Sequence, residues 1–274
     1  MEINIGETIR DSITGILTGT GEVAVGIVDV VSATIVKTLE GVKDVQAAVG
    51  SVIVGVISIA VKAAGAIGAD LTIVTKNSII GAIKGVHEVG TVTAYMFRDT
   101  VCEAIKTTAE LGGDVESVTK SAIVGAIKGT RDVTVSSEEA AAEGARGAIR
   151  AVSEVGADTG AAAKNAVKGA IGGVAEASGF LAGVIKNTSK GLVFEALQLG
   201  GDAAAVAKNA VVGAIEAARE IGLSAEEAAS AAAKGAIEAA TTIGGETGSA
   251  ISKAVTGTIS GIEVIVKESF KNGK

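Results

Sequence analysis

Few residues in this chain are suited to chemistry. Of its 274 residues, His87 is the only histidine and Cys102 the only cysteine. One imidazole rules out a two-histidine metal site, and no second strong ligand and no serine-type triad is arranged around His87. Flanked by Val86 and Glu88, it is expected at a surface or a helix end. Cys102 follows Val101 on an aliphatic face, where a free cysteine behaves as a small buried hydrophobe. The acidic column Glu22, Asp44, Glu88, Glu110, Asp132, Glu154, Glu176 and Glu220 is regular enough to collect cations. Its simpler meaning is a solvated face beside an apolar stripe. The fragment Gly169-Ala170-Ile171-Gly172-Gly173 is loosely like a nucleotide loop, but no strand precedes it and no Gly-Lys-Ser/Thr follows. No catalytic, cofactor-binding or metal-ligating residue is therefore assigned, and the chain is expected not to be an enzyme and to carry no cofactor.

The elements behind these residues repeat. Aligning on Gly-Ala-Ile places Gly81, Gly125, Gly147, Gly169, Gly213 and Gly235 at multiples of 22, and Gly15, Gly191 and Gly257 join the frame. Two residues later every unit has an aliphatic residue, from Leu17 and Leu39 through Ile215 and Ile237 to Ile259. Two residues before the anchor stands a second column containing Ile57, Ile79, Val101, Ile123, Val167 and Val211. A third follows eight residues after the anchor, as in Ile67, Leu111, Val155, Leu199, Ile221 and Ile265. These spacings put all three on one helical face, predicted to be the core stripe.

Gly at the anchor and Gly or Ala four residues on, as in Gly81/Gly85 and Gly213/Ala217, form a second stripe. Each interior Gly costs about 1 kcal/mol of helicity relative to Ala, so the stripe needs an offsetting gain. Close approach of a neighbouring helix supplies it, because a missing Cβ lets backbones meet.

Punctuation recurs as well. Gly112-Gly113-Asp114, Gly156-Ala157-Asp158 and Gly200-Gly201-Asp202 each read as a helix stop followed by a helix start. Asp70, Asp114, Asp158 and Asp202 are 44 residues apart, as are Lys76, Lys120, Lys164 and Lys208. Alternate units start differently, with Ser136 to Glu139 and Ser224 to Glu227 offering capping boxes. The unit is thus a pair. The predicted fold is all-α: a single repeat domain over residues 1–274, with twelve helices of about 18 residues in 22-residue units, paired as six 44-residue αα-hairpins in a solenoid. The frame also permits one unbroken helix with a right-handed superhelical stripe, though the Gly-Gly-Asp steps would be costly inside it.

Both ends are more apolar than the middle, as in Val45 to Val61 and Gly261 to Val266. Such ends are buried if the array closes into a toroid or if copies meet end to end. The expected function is a non-enzymatic structural or assembly protein that self-associates or closes through its terminal repeats, with a homo-oligomer or another protein as partner. A second reading is a lipid-surface binder. The period resembles that of exchangeable apolipoproteins, and Thr38-Leu39-Glu40-Gly41-Val42 resembles a synuclein-type repeat, a likeness of periodicity only. With no Pro and 20% charged residues the chain departs from those patterns, so a membrane surface ranks second. A third reading is a small-molecule carrier with a groove between hairpins. Net charge of −7 without a basic block, and only 2% aromatic residues, argue against nucleic acid. A start without a basic region, Met1 to Ile5, and a lone cysteine set a cytoplasmic expectation.

Overall fold

A computed structural model of the chain describes residues 5–19, 22–40, 42, 44–175, 181–242 and 245–266. Twelve helices follow one another: α1 (Ile5–Thr18), α2 (Val23–Leu39), α3 (Val45–Ala66), α4 (Leu71–Val89), α5 (Ala94–Glu110), α6 (Val115–Lys128), α7 (Ser137–Glu154), α8 (Thr159–Ala175), α9 (Leu181–Gln198), α10 (Ala203–Glu220), α11 (Ala225–Ala240) and α12 (Gly245–Val255). A short antiparallel hairpin, β1 (Gly257–Ile259) and β2 (Ile262–Val264), closes the described chain.

The reversals occur where the glycines and acids predict them. Gly68, Gly112, Gly156 and Gly200 take positive φ near 68°, which a Cβ would oppose. Immediately after each, an amide reaches back five residues: Ala69 donates to the Ala64 carbonyl, Gly113 to Thr108, Ala157 to Val152 and Gly201 to Ala196. This bond satisfies carbonyls that the ending helix leaves free. The next residue but one starts the following helix. Asp70 accepts from the Thr72 amide at 2.8 Å, Asp114 from Ser117 at 3.0 Å, Asp158 from Gly160 at 2.7 Å and Asp202 from Ala205 at 2.9 Å. Of the helices entered from the other side, α3 is capped by Asp44 and α5 by Thr93, and α7 and α11 use serine. Ser136 and Glu139 form a reciprocal capping box, and Ser224 accepts from the Glu227 amide at 3.1 Å. The chain therefore breaks at every such step, and the unbroken-helix alternative is excluded.

Antiparallel successive helices sort into two layers, the odd-numbered in one and the even-numbered in the other. Each helix packs most extensively on the helix two positions away, its parallel neighbour in the same layer, and less on its hairpin partner. Between the layers lies an aliphatic core. Ile57, Ile79, Val101, Ile123, Val167 and Val211 are fully buried, as are Val61, Ile83, Ile105, Val193 and Ile215. Among the described residues no packed helix pair joins α1 or α2 to α11 or α12, so they do not close the row into a ring.

Two expectations are corrected. The third aliphatic column is core only in part: Val23, Val45, Val89 and Val133 pack against the core, whereas Ile67, Leu111, Leu199 and Ile221 are each more than 40% exposed, and Ile67, Leu111, Val155 and Ile221 are helix C-caps. At the last turn the stripe reaches the ends of the facing helices, so its cover is incomplete. The twelfth unit is not a full helix either. Gly257 and Ile259, which fit the repeat frame, lie in β1, and Ile265 is 60% exposed beyond β2. Ser260 and Gly261 both have positive φ, at 49° and 79°, giving the two-residue turn that matches strand twist.

Candidate functional site

The surfaces on which this molecule's behaviour depends are built from glycine, carbonyl and paired charge. Seven of the nine anchor glycines, Gly15 and Gly257 being the exceptions, sit against the backbone of the preceding helix in their own layer. A methyl group on Gly125 of α6 would lie 2.7 Å from the Lys76 carbonyl oxygen of α4. The same contact recurs at one sequence offset between Gly147 and Arg98, Gly169 and Lys120, Gly191 and Ala142, Gly213 and Lys164, and Gly235 and Lys186. Gly81 and Gly85 of α4 meet the Val28 and Ser32 carbonyls of α2 in the same manner, at 2.6 and 2.8 Å from a built Cβ. The repeating lysines thus mark the carbonyls that receive glycine. Beside them, Asn165 and Asn209 donate to carbonyls four residues back, holding their side chains against their own helices.

Charged groups flank these seams. Lys62 pairs with Glu110 at 3.3 Å, Lys106 with Glu154 at 2.6 Å, and Lys168 with both Glu216 at 2.7 Å and Glu220 at 3.0 Å. Several members of the acidic column are therefore salt-bridge partners of the previous same-layer helix. Glu88 accepts from Ser32 at 3.3 Å, and Glu176 lies outside the described residues. The Lys168 ammonium beside Glu216 holds that carboxyl below its ordinary value, and the bond from Glu154 raises Lys106.

One cluster has no counterpart in the sequence reading. Glu195 of α9 is completely buried, and two guanidinium groups of α7 close on it: Arg146 Nε at 2.9 Å from Oε2 and Arg150 Nε at 2.9 Å from Oε1. Arg146 also donates to Glu143 at 2.9 Å and lies 4.8 Å over the Phe194 ring. Arg98 of α5 approaches Glu143 at 3.8 Å, so three helices share the network. Both carboxylate oxygens of Glu195 are occupied by guanidinium donors. The residue acts as a register pin between α7 and α9, since a slip of one turn would bury its charge unpaired. The sequence signal was available in Arg146 and Arg150, which interrupt an otherwise Lys-bearing pattern, and in Glu195 among Val193, Phe194 and Ala196.

His87 is exposed in the last turn of α4, as expected. Cys102 is half-buried rather than fully enclosed; burial, and then the Glu154 charge, push its thiol up to about 11, away from thiolate chemistry. Gly169 to Gly173 lie within α8, with no loop to cradle phosphate. Among the described residues no group of three or more His, Cys, Asp or Glu could hold a metal ion.

Fold and seams define a class, the α-helical repeat proteins whose units stack through same-layer neighbours. No protein-family model and no curated protein matches the chain.

Proposed function

We propose that this is a non-enzymatic structural or assembly protein, a stack of glycine-rich helical hairpins that associates through a terminal face. What carries this reading is the first hairpin. Internal hairpins are covered on both sides by their neighbours, whereas the outer side of α1 and α2 is a face of small residues such as Ser12, Gly15 and Ala33, edged by Asp11, Glu22 and Lys37, with no neighbouring helix among the described residues. Light scattering across a concentration series tests it: an oligomer is expected, and a strictly monomeric particle at every concentration contradicts it.

Helix α3 favours a second reading, binding to a lipid or other hydrophobic surface. It is 22 residues long with a mean hydropathy of 2.1, and 44% of its apolar window is buried. By length and composition it would span a membrane, but it is also packed between α1, α4 and α5. Flotation with liposomes separates the two, because the assembly reading expects the protein to stay at the bottom of the gradient. A groove of about 660 Å³ between α9, α11 and the segment after β2, lined by Lys186, Ser230, Lys234 and Val266, supports a carrier role third. A thermal-shift screen with apolar ligands checks it.

A further inference from the structure

The two ends of the array are not equivalent, and the difference selects the partner and the symmetry. At the far end, the place of the next helix beside α11 is taken. The β hairpin lies against α11, burying Ile259, Ile262 and Val264, with Arg219 donating to the Ser260 carbonyl at 3.1 Å. Gly257, instead of meeting a carbonyl of an earlier helix, has positive φ and begins β1.

At the near end the seam is left open. Gly15 is the anchor of α1, yet among the described residues nothing lies within 4 Å of a Cβ built on it, in contrast to the anchor glycines of α4 and α6 to α11. It belongs to the stripe Ser12, Gly15, Gly19 along one side of α1. Two grooves border that stripe, of about 330 Å³ toward Val30, Ala33 and Lys37, and about 420 Å³ toward Gly26 and Glu22. Lys37 stands at one end of this face and Glu22 at the other, separated by most of the length of α2.

We infer that the α1–α2 face docks on the same face of a second copy of this chain, forming a closed two-fold pair rather than a fibre. The inference rests on the assembly reading and specifies its partner. Head-to-tail growth requires two complementary ends, and the hairpin covers the α11 side of one of them. A two-fold axis near Ser12 and Gly15 sets the small residues of the two copies against each other, an isologous contact unlike the glycine-on-carbonyl seams inside the array. It also lays Lys37 of each copy over Glu22 of the other, so the charges match twice.

Sedimentation equilibrium and thermal melts of the full chain test the inference. The wild type is expected at twice 26.7 kDa. Gly15→Arg places its side chain in open space among the described residues, so the variant should still melt cooperatively as a folded chain while running as a monomer. Lys37→Glu and Glu22→Lys should each weaken the pair by about tenfold or more, and the double reversal should restore it. A pair unaffected by all of these variants, or a wild type that grows into fibres, overturns the inference and leaves the assembly reading standing. A wild type that is monomeric at every concentration overturns both.

Discussion

A glycine in a helix interior is either a liability or a requirement, and α8 contains both kinds. Gly169 has the Lys120 carbonyl where a Cβ would be, whereas Gly172 has nothing within 4 Å. Gly172→Ala should therefore stabilise the chain by about 1 kcal/mol through helix propensity alone. Gly169→Ala gains the same propensity but must push α6 and α8 apart, and should destabilise by about 1–3 kcal/mol net, an overpacking cost. Urea midpoints of the two variants, moving in opposite directions, check this. Glu195→Gln removes the buried charge that two half-buried guanidiniums face and should cost about 3 kcal/mol, measurable in the same way. The glycine stripe was legible in the sequence because it repeats at a fixed interval. The Glu195 network left only the signal of a carboxylate among apolar residues, and its partners could not be read from it, because Arg146 and Arg150 meet Glu195 only across two helices.

Among elements, the turns show why so much of the fold was readable. Gly112-Gly113-Asp114 acts through local bonds, the Gly113 amide to Thr108 and the Asp114 carboxylate to the Ser117 amide, so residue types alone specify the reversal. The last unit shows the converse. Gly257 and Ile259 keep the frame, but Thr258, Ile259, Ile262, Val264, Ile265 and Val266 are β-branched and surround the Ser260-Gly261 turn, so strand pairing prevails over helical periodicity. The helical frame masked that local signal. Ile262 packs this hairpin into the end of the core, and Ile262→Asp should detach it. With α11 bare, both ends become sticky, and higher-order oligomers or fibres should appear in light scattering where the wild type shows none.

For the molecule as a whole, the charged seams set a pH range. Asp70, Asp114 and Glu216 are held below their ordinary values, chiefly by hydrogen bonds from Thr72, Ser117 and Lys168. As pH falls the unfolded chain takes up protons first. Their contribution is thus complete above the ordinary carboxylate values of 3.8 and 4.5 and is lost as pH drops through the lowered ones. Cys102 works at the other limit: its unfolded thiol ionises near 9.0 while the folded one holds its proton to about 11, so stability declines as pH rises past 9.0. Thermal melts should show a plateau between these limits. Alkylation of Cys102 near pH 8 should be slow in the folded chain and fast in urea.

The account makes the protein a two-layer stack of reversed helices that pairs through its first hairpin, and small-angle scattering of the full chain tests that most directly. Helices of about 27 Å, stacked six hairpins deep at about 10 Å each, give one array roughly 60 Å long, and two joined end to end roughly 120 Å. A concentration-independent particle of that longer dimension, with twice the 26.7 kDa mass, is the expected result. A particle of single mass and half that length, or one that lengthens without limit as concentration rises, would contradict it.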